Sequence, residues 1–147
     1  MSTRELRIKL TPLVIAIVFF GILCMAVYNP PFGKMTCTIS SAPGDPHAEY
    51  TYKVNFNFWR VNTVESTEMI TSKNKDILKL FQEMEEQEQA KHKNETYYTM
   101  TSSIKNNTLT SVTTLQYKQA QNAKLKKISI NKLKKIYLKN GAICSYR

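Results

Sequence analysis

Between Tyr50 and Phe58 the chain alternates apolar and polar side chains: Tyr50, Tyr52, Val54, Phe56 and Phe58 on one parity, Thr51, Lys53, Asn55 and Asn57 on the other. A period of two is that of a strand with one buried face. Residues 35–40 (MTCTIS) are rich in Thr and Ile and predict a preceding strand, with Pro43-Gly44-Asp45-Pro46 supplying turn chemistry. Residues 61–71 are expected to be the hairpin partner. The period then lengthens. Ile77, Leu78, Leu80, Phe81 and Met84 predict an amphipathic helix over residues 75–92, with Asn74 or Ser72 as N-cap and Asp76 in the first turn. Glu83, Glu85, Glu86 and Glu88 are expected to face water on it. Two further β-prone runs, 96–104 and 108–117, meet at Lys105-Asn106-Asn107, where Asn tolerates the positive φ of a hairpin turn. A last helix is predicted over residues 130–139, with Ser129 as N-cap and Gly141 at or next to the C-terminal left-handed position. The order β-β-β-α-β-β-α implies an α+β domain, an antiparallel sheet with helices on one face.

One stretch obeys neither period. Residues 10–28 (LTPLVIAIVFFGILCMAVY) contain no charge and follow Arg4, Arg7 and Lys9. As a helix they would reach roughly 28 Å, close to the ~30 Å hydrocarbon core of a bilayer, and Pro12 falls in the first turn, where a helix tolerates it. With only Lys34 close behind the stretch, the positive-inside rule predicts a cytoplasmic N-terminus (1–9), an N-terminal transmembrane helix (10–28) and an extracytoplasmic remainder. A cleavable signal peptide has the same basic and apolar regions, and Cys24 and Ala26 suit a cut after Ala26. A lipidated Cys24 would want a small residue where Leu23 stands. The length of the run favours a retained anchor, and all three readings export the rest of the chain.

Export changes how the cysteines are read. Beyond the span there are two, Cys37 and Cys144, and an oxidising compartment makes a disulfide of such a pair. No CxxC occurs, and two cysteines alone do not make a zinc site. Asn29-Pro30-Pro31-Phe32-Gly33 cannot continue a helix, so residues 29–34 are expected to form a linker and residues 35–147 one small domain with a single core.

Met35-Thr36-Cys37-Thr38, the strand Tyr50-Thr51-Tyr52-Lys53-Val54, and the closing Leu133-Lys134-Lys135-Ile136-Tyr137 with Gly141-Ala142-Ile143-Cys144 resemble small membrane-anchored or lipoprotein-like extracytoplasmic domains of low-GC Gram-positive bacteria. The resemblance covers most of residues 35–144. It implies attachment to the cell envelope and cysteines that bracket the domain as Cys37 and Cys144 do, and it implies no mechanism. The chain departs from the pattern in residues 118–127, which are short, and at Phe58-Trp59-Arg60, where relatives are polar.

Motifs for catalysis are few. His47 and His92 are the only histidines, neither in HExxH spacing, and both are expected at the surface; no metal or other cofactor is expected. Ser72/Lys75, Ser102/Lys105 and Ser129/Lys132 match S-x-x-K, but three matches in a Lys-rich chain without the companion S-D-N and K-T-G motifs point to chance. There is no G-x-S-x-G, and four glycines leave no room for a phosphate-cradling loop.

Charge has more content. Residues 33–117 carry nine Lys/Arg against ten Asp/Glu, whereas residues 118–147 carry nine Lys/Arg and no acid, so the net +10 is concentrated at one end of the chain. Outside a cell, a cationic segment faces anionic lipid head groups and wall polymers, with about 1 kcal/mol per residue near the surface. Lys124, Lys126, Lys127, Lys132, Lys134 and Lys135 are the candidate basic surface; a solvated Lys-rich face without a partner is the alternative. Nucleic acid is not an expected partner, given the placement and the few aromatics among these lysines. The expected function is a non-enzymatic cell-envelope protein, anchored by one span, whose extracytoplasmic domain binds an anionic surface or a partner protein. An accessory or sensor subunit of a membrane complex is the alternative, with Ala16, Gly21 and Ala26 as a small-residue notch for helix pairing; an unrecognised hydrolase is less favoured.

Overall fold

The structure, a computed structural model, describes residues 30–117 and 127–147. The stretch 10–28 and the segment 1–9 before it lie outside those residues; among the described residues no helix is long and apolar enough to cross a membrane. Phe32–Arg147 forms one compact unit.

Six strands make one sheet: β1 (Phe32–Ser40), β2 (His47–Asn57), β3 (Arg60–Thr71), β4 (Tyr98–Lys105), β5 (Thr108–Gln116) and β6 (Ile143–Tyr146). Their spatial order is β4-β5-β3-β2-β1-β6, and every neighbouring pair is antiparallel. Directly opposed residues share a face, so the row Met35, Val54, Val64, Leu115 fixes which side is inside. Among the described residues two helices, α1 (Lys75–Lys91) and α2 (Ile130–Lys139), cover that side. Ile130 and Leu133 of α2 pack with Met35, Cys37, Val54 and Val64; Leu78 of α1 packs with Ile70 and Leu109. The other side carries Thr36, Thr38, Thr51, Thr63, Thr67, Thr110 and Thr114, β-branched residues that suit a pleated surface while leaving a hydroxyl toward water. The α+β architecture with both helices on one face is as expected.

Four details differ from the pattern reading. Strand β1 begins at Phe32, because Phe32, Gly33 and Lys34 pair with Asn57, Phe56 and Asn55; the expected linker over 29–34 is therefore shorter and the domain starts earlier than residue 35. A sixth strand, β6, follows α2 and pairs with β1. Four residues are too few to show a period, and the strand is held by the ladder and a cross-link rather than by pattern. Strand β2 ends at Asn57, so Phe58, which continues the apolar parity, lies in the turn; Phe58 and Trp59 form it with φ of 46° and 58°. Finally, Leu80 and Met84 of α1 are exposed, whereas Glu85 turns its carboxylate inward.

The helix boundaries follow their caps. Asn74 Oδ1 accepts from the Asp76 amide at 2.9 Å, and Ser72 Oγ accepts from the Asn74 amide at 3.0 Å, so the two cap candidates act in series. Ser129 caps α2, its Oγ accepting from the Lys132 amide. Gly141, just past the end, has φ 84°, and Asn106 in the β4–β5 turn has φ 57°, the left-handed conformations each was expected to supply.

Cys37 and Cys144 are opposite each other in the β1–β6 register and form a disulfide, with Cα atoms 4.1 Å apart and a sequence separation of 107. In the chain-entropy account, a loop of this size stabilises the fold by up to about 4.7 kcal/mol. Around the cross-link, Tyr52 stacks on Tyr137 at 4.5 Å and Phe56 meets Tyr146 edge-on at 5.9 Å.

Candidate functional site

Helix α2 turns 100° per residue, so Ile130, Leu133 and Tyr137 fall on one side and Lys132, Lys135 and Lys139 on roughly the opposite one. The inward set is packed on the sheet and the outward lysines are exposed, with exposed Ile136 beside them. Lys134 stands apart: its ammonium lies 4.4 Å from the centre of the Tyr146 ring, a cation–π contact on the flank of the helix. Lys127 is not helical. Ser129 bridges to Arg60, the Val61 amide donates to the Ile128 carbonyl and the Ile130 amide donates to the Trp59 carbonyl, so the chain before α2 runs along the start of β3. Lys124 and Lys126 lie outside the described residues. The fold thus groups Lys132 and Lys135, adds Lys139 to them, and places Lys127 and Lys134 elsewhere.

A second polar group lies under α1. The first turns of this helix put Leu78 and Phe81 on the sheet, but the same face then carries Glu85, Gln89 and His92. Glu85 sits over a row in which Glu68, Ser111 and Ser102 are opposed in register. Burial raises the Glu85 pKa above the ordinary carboxylate value and the nearby Glu68 charge adds to this, while the Ser111 and Ser102 hydroxyls offset part of it. Even so, neither Glu85 oxygen nor the buried Ser111 Oγ completes a hydrogen bond of ordinary length and angle within the protein. Tyr50, also facing Glu68, is pushed up to about 12 by burial and by its hydrogen bond to that carboxylate.

At the end of α1, His92 is held between two carboxylates. Nδ1 meets Glu95 and Nε2 meets Glu88 at 3.2 Å, and the ring lies 4.4 Å from that of Tyr98. Both nitrogens can donate at once only in the imidazolium, and the hydrogen bond to Glu95, followed by that to Glu88, raises the His92 pKa. An open cavity of about 470 Å³ adjoins it, lined by Glu86, Gln89, Lys93, Tyr98 and Met100 among others. Among the described residues no group of three or more His, Cys, Asp or Glu is arranged to hold a metal ion. The S-x-x-K serines have structural partners: Ser72 and Ser129 serve the two helix starts.

No family model matches the chain, and no curated protein or solved structure matches it either.

Pattern reading missed the inward Glu85, because a run of four glutamates within six residues reads as a solvated face. The available signal was the phase: Glu85 is seven residues beyond Leu78, two turns along the same stripe.

Proposed function

We propose that this chain is a non-enzymatic cell-envelope protein, held by the single span at residues 10–28, whose exported α+β domain binds an anionic surface through α2. The observation that carries the reading is the outward row Lys132, Lys135 and Lys139 on a helix that contains no acidic residue, with the aliphatic Ile136 exposed among the ammonium groups. Cations one turn apart beside an exposed aliphatic side chain suit the boundary between head groups and water, where Coulomb attraction and apolar burial act together. The placement outside the membrane rests on the charge asymmetry around residues 10–28 and on the likeness to Gram-positive envelope domains. The paired cysteines suit the same compartment.

The test uses residues 32–147 as a domain, with its disulfide and circular dichroism checked first. It should float with anionic vesicles and not with neutral ones, and release as salt shortens the Debye length from about 10 Å at 0.1 M to about 3 Å at 1 M. Lys132→Gln, Lys135→Gln and Lys139→Gln together should abolish flotation while leaving the fold unchanged, since exposed substitutions shift stability by only about 0.5 kcal/mol. Equal flotation of parent and triple variant would reduce these lysines to solubilising surface.

A further inference from the structure

The β2–β3 connection is a two-residue turn between the paired Asn57 and Arg60, and both of its central residues are left-handed: Phe58 at φ 46° and Trp59 at φ 58°. Hairpins of this kind ordinarily place Asn-Gly there, because bulky side chains fit a positive φ poorly. Two large aromatics in these positions are strained, and the strain does not serve the core: Phe58 is 71% and Trp59 46% exposed. Phe32, paired with Asn57 beside the turn, is 64% exposed. Cations share this end of the sheet. Lys34, Arg60, Lys127 and Arg147 are exposed at the same end, tied together by the Lys34–Arg147 backbone pair and the Arg60–Ser129 bridge. The nearest acid among the described residues is Glu65, which shares a surface hollow with Lys34 and Arg147 and is paired with Lys53 at 3.2 Å; residues 55–63 and 127–131 include no Asp or Glu.

We propose that this end of the sheet, with the Phe58–Trp59 turn at its tip, is a docking surface for the lipid bilayer in which the chain is anchored. Aromatic rings flanked by cations match the head-group region, which offers an apolar boundary together with negative charge; a dissolved polyanion would satisfy the cations alone. Chain length supports the same occupant. With residues 10–28 as the anchor, a reading on which this inference rests, only residues 29–31 separate the span from Phe32 in the sequence. The domain then sits on its membrane by the turn, with the lysines of α2 starting at the same end, where Ser129 meets Arg60.

The full chain contains a single tryptophan, so its intrinsic fluorescence reports on Trp59 alone. Reconstituted into vesicles containing phosphatidylglycerol, Trp59 should be quenched by lipids brominated near the top of the acyl chain and should lose most of its sensitivity to aqueous iodide. Arg60→Gln with Lys127→Gln, and separately Phe58→Asn, should each lower the lipid quenching. A chain that stays in the vesicles through an alkaline wash, yet leaves Trp59 open to iodide and untouched by brominated lipid, would overturn the docking surface and leave the anchor intact. Protection from iodide without lipid quenching would assign the surface to a protein or a second copy, and overturn the lipid proposal. Loss of the chain from the vesicles in the alkaline wash would remove the anchor, and the proposal with it.

Discussion

One side of one sheet carries two helices, and they are held by different physics. Under α2 the contacts are apolar and aromatic: Ile130 and Leu133 against Met35, Val54 and Val64, Tyr137 stacked on Tyr52, with the disulfide at the same edge. Under α1 the apolar contact is short, Leu78 with Ile70 and Leu109, and the second half of the helix rests on Glu85, Gln89 and His92. Apolar burial is indifferent to pH and needs no matched partner. A buried carboxylate is sensitive to both, and costs stability wherever its hydrogen bonds are incomplete. The contrast predicts that the α2 half is the more rigid frame and that the α1 half opens first.

The largest effect should come from the cross-link. Reduction, or Cys37→Ala, Cys144→Ala or both together, should each lower unfolding stability by about 2–5 kcal/mol, with the double change little worse than the single ones because all remove the same constraint. Denaturant midpoints with and without reductant measure this; additive losses would show that the two sulfurs act separately. Next, Leu78→Ala should cost about 2–5 kcal/mol, as other buried Leu truncations do. Its signature in hydrogen exchange should be local: lost protection in α1 and β4 with β1, β2 and β6 unchanged. Uniform loss across the sheet would mean that the two halves unfold as one and that the contrast between them has no energetic content.

The smallest effect is the most selective. Burial raises the Glu85 pKa, so the folded state keeps that proton after the unfolded chain has released it; its contribution to stability is present below the ordinary value of 4.5 and is lost as pH rises through the raised one. The two carboxylates beside His92 raise its pKa, so the stability from that pair is full below the ordinary value of 6.5 and is lost as pH rises through the raised value. Both therefore loosen α1 as pH increases. Hydrogen exchange in α1, corrected for the intrinsic rate, should quicken as pH rises from below the ordinary carboxylate value to above the ordinary imidazole value. Glu85→Gln should flatten the acidic part of that rise and His92→Gln the neutral part. A wild-type profile in α1 no steeper than that of α2 would contradict the shifts.

Most of the elements were legible because their signals are local. The alternation from Tyr50 to Phe56 is a strand whatever its neighbours; Ser129 and Asn74 start helices because a side-chain oxygen two or three residues ahead of an unpaired amide is a property of sequence spacing. The basic segment was legible as composition, but not as a surface. Which lysines share a side depends on where α2 begins, and Ser129, with φ −81° and ψ 150°, stops the helix short of Lys127.

By itself, then, the sequence determined the α+β class, the order of the first seven described elements and both helix starts, because periodicity and capping act over a few residues; of its three cysteines, Cys37 and Cys144 were the expected pair once Cys24 was set aside with the apolar stretch. Only the tertiary structure decided that β6 completes the edge of the sheet, that Glu85 turns inward over Glu68 and Ser111, and that Phe32, Phe58 and Trp59 come together at one end. Those arrangements depend on strand order and register, which join residues far apart in the chain, and no local propensity carries that information.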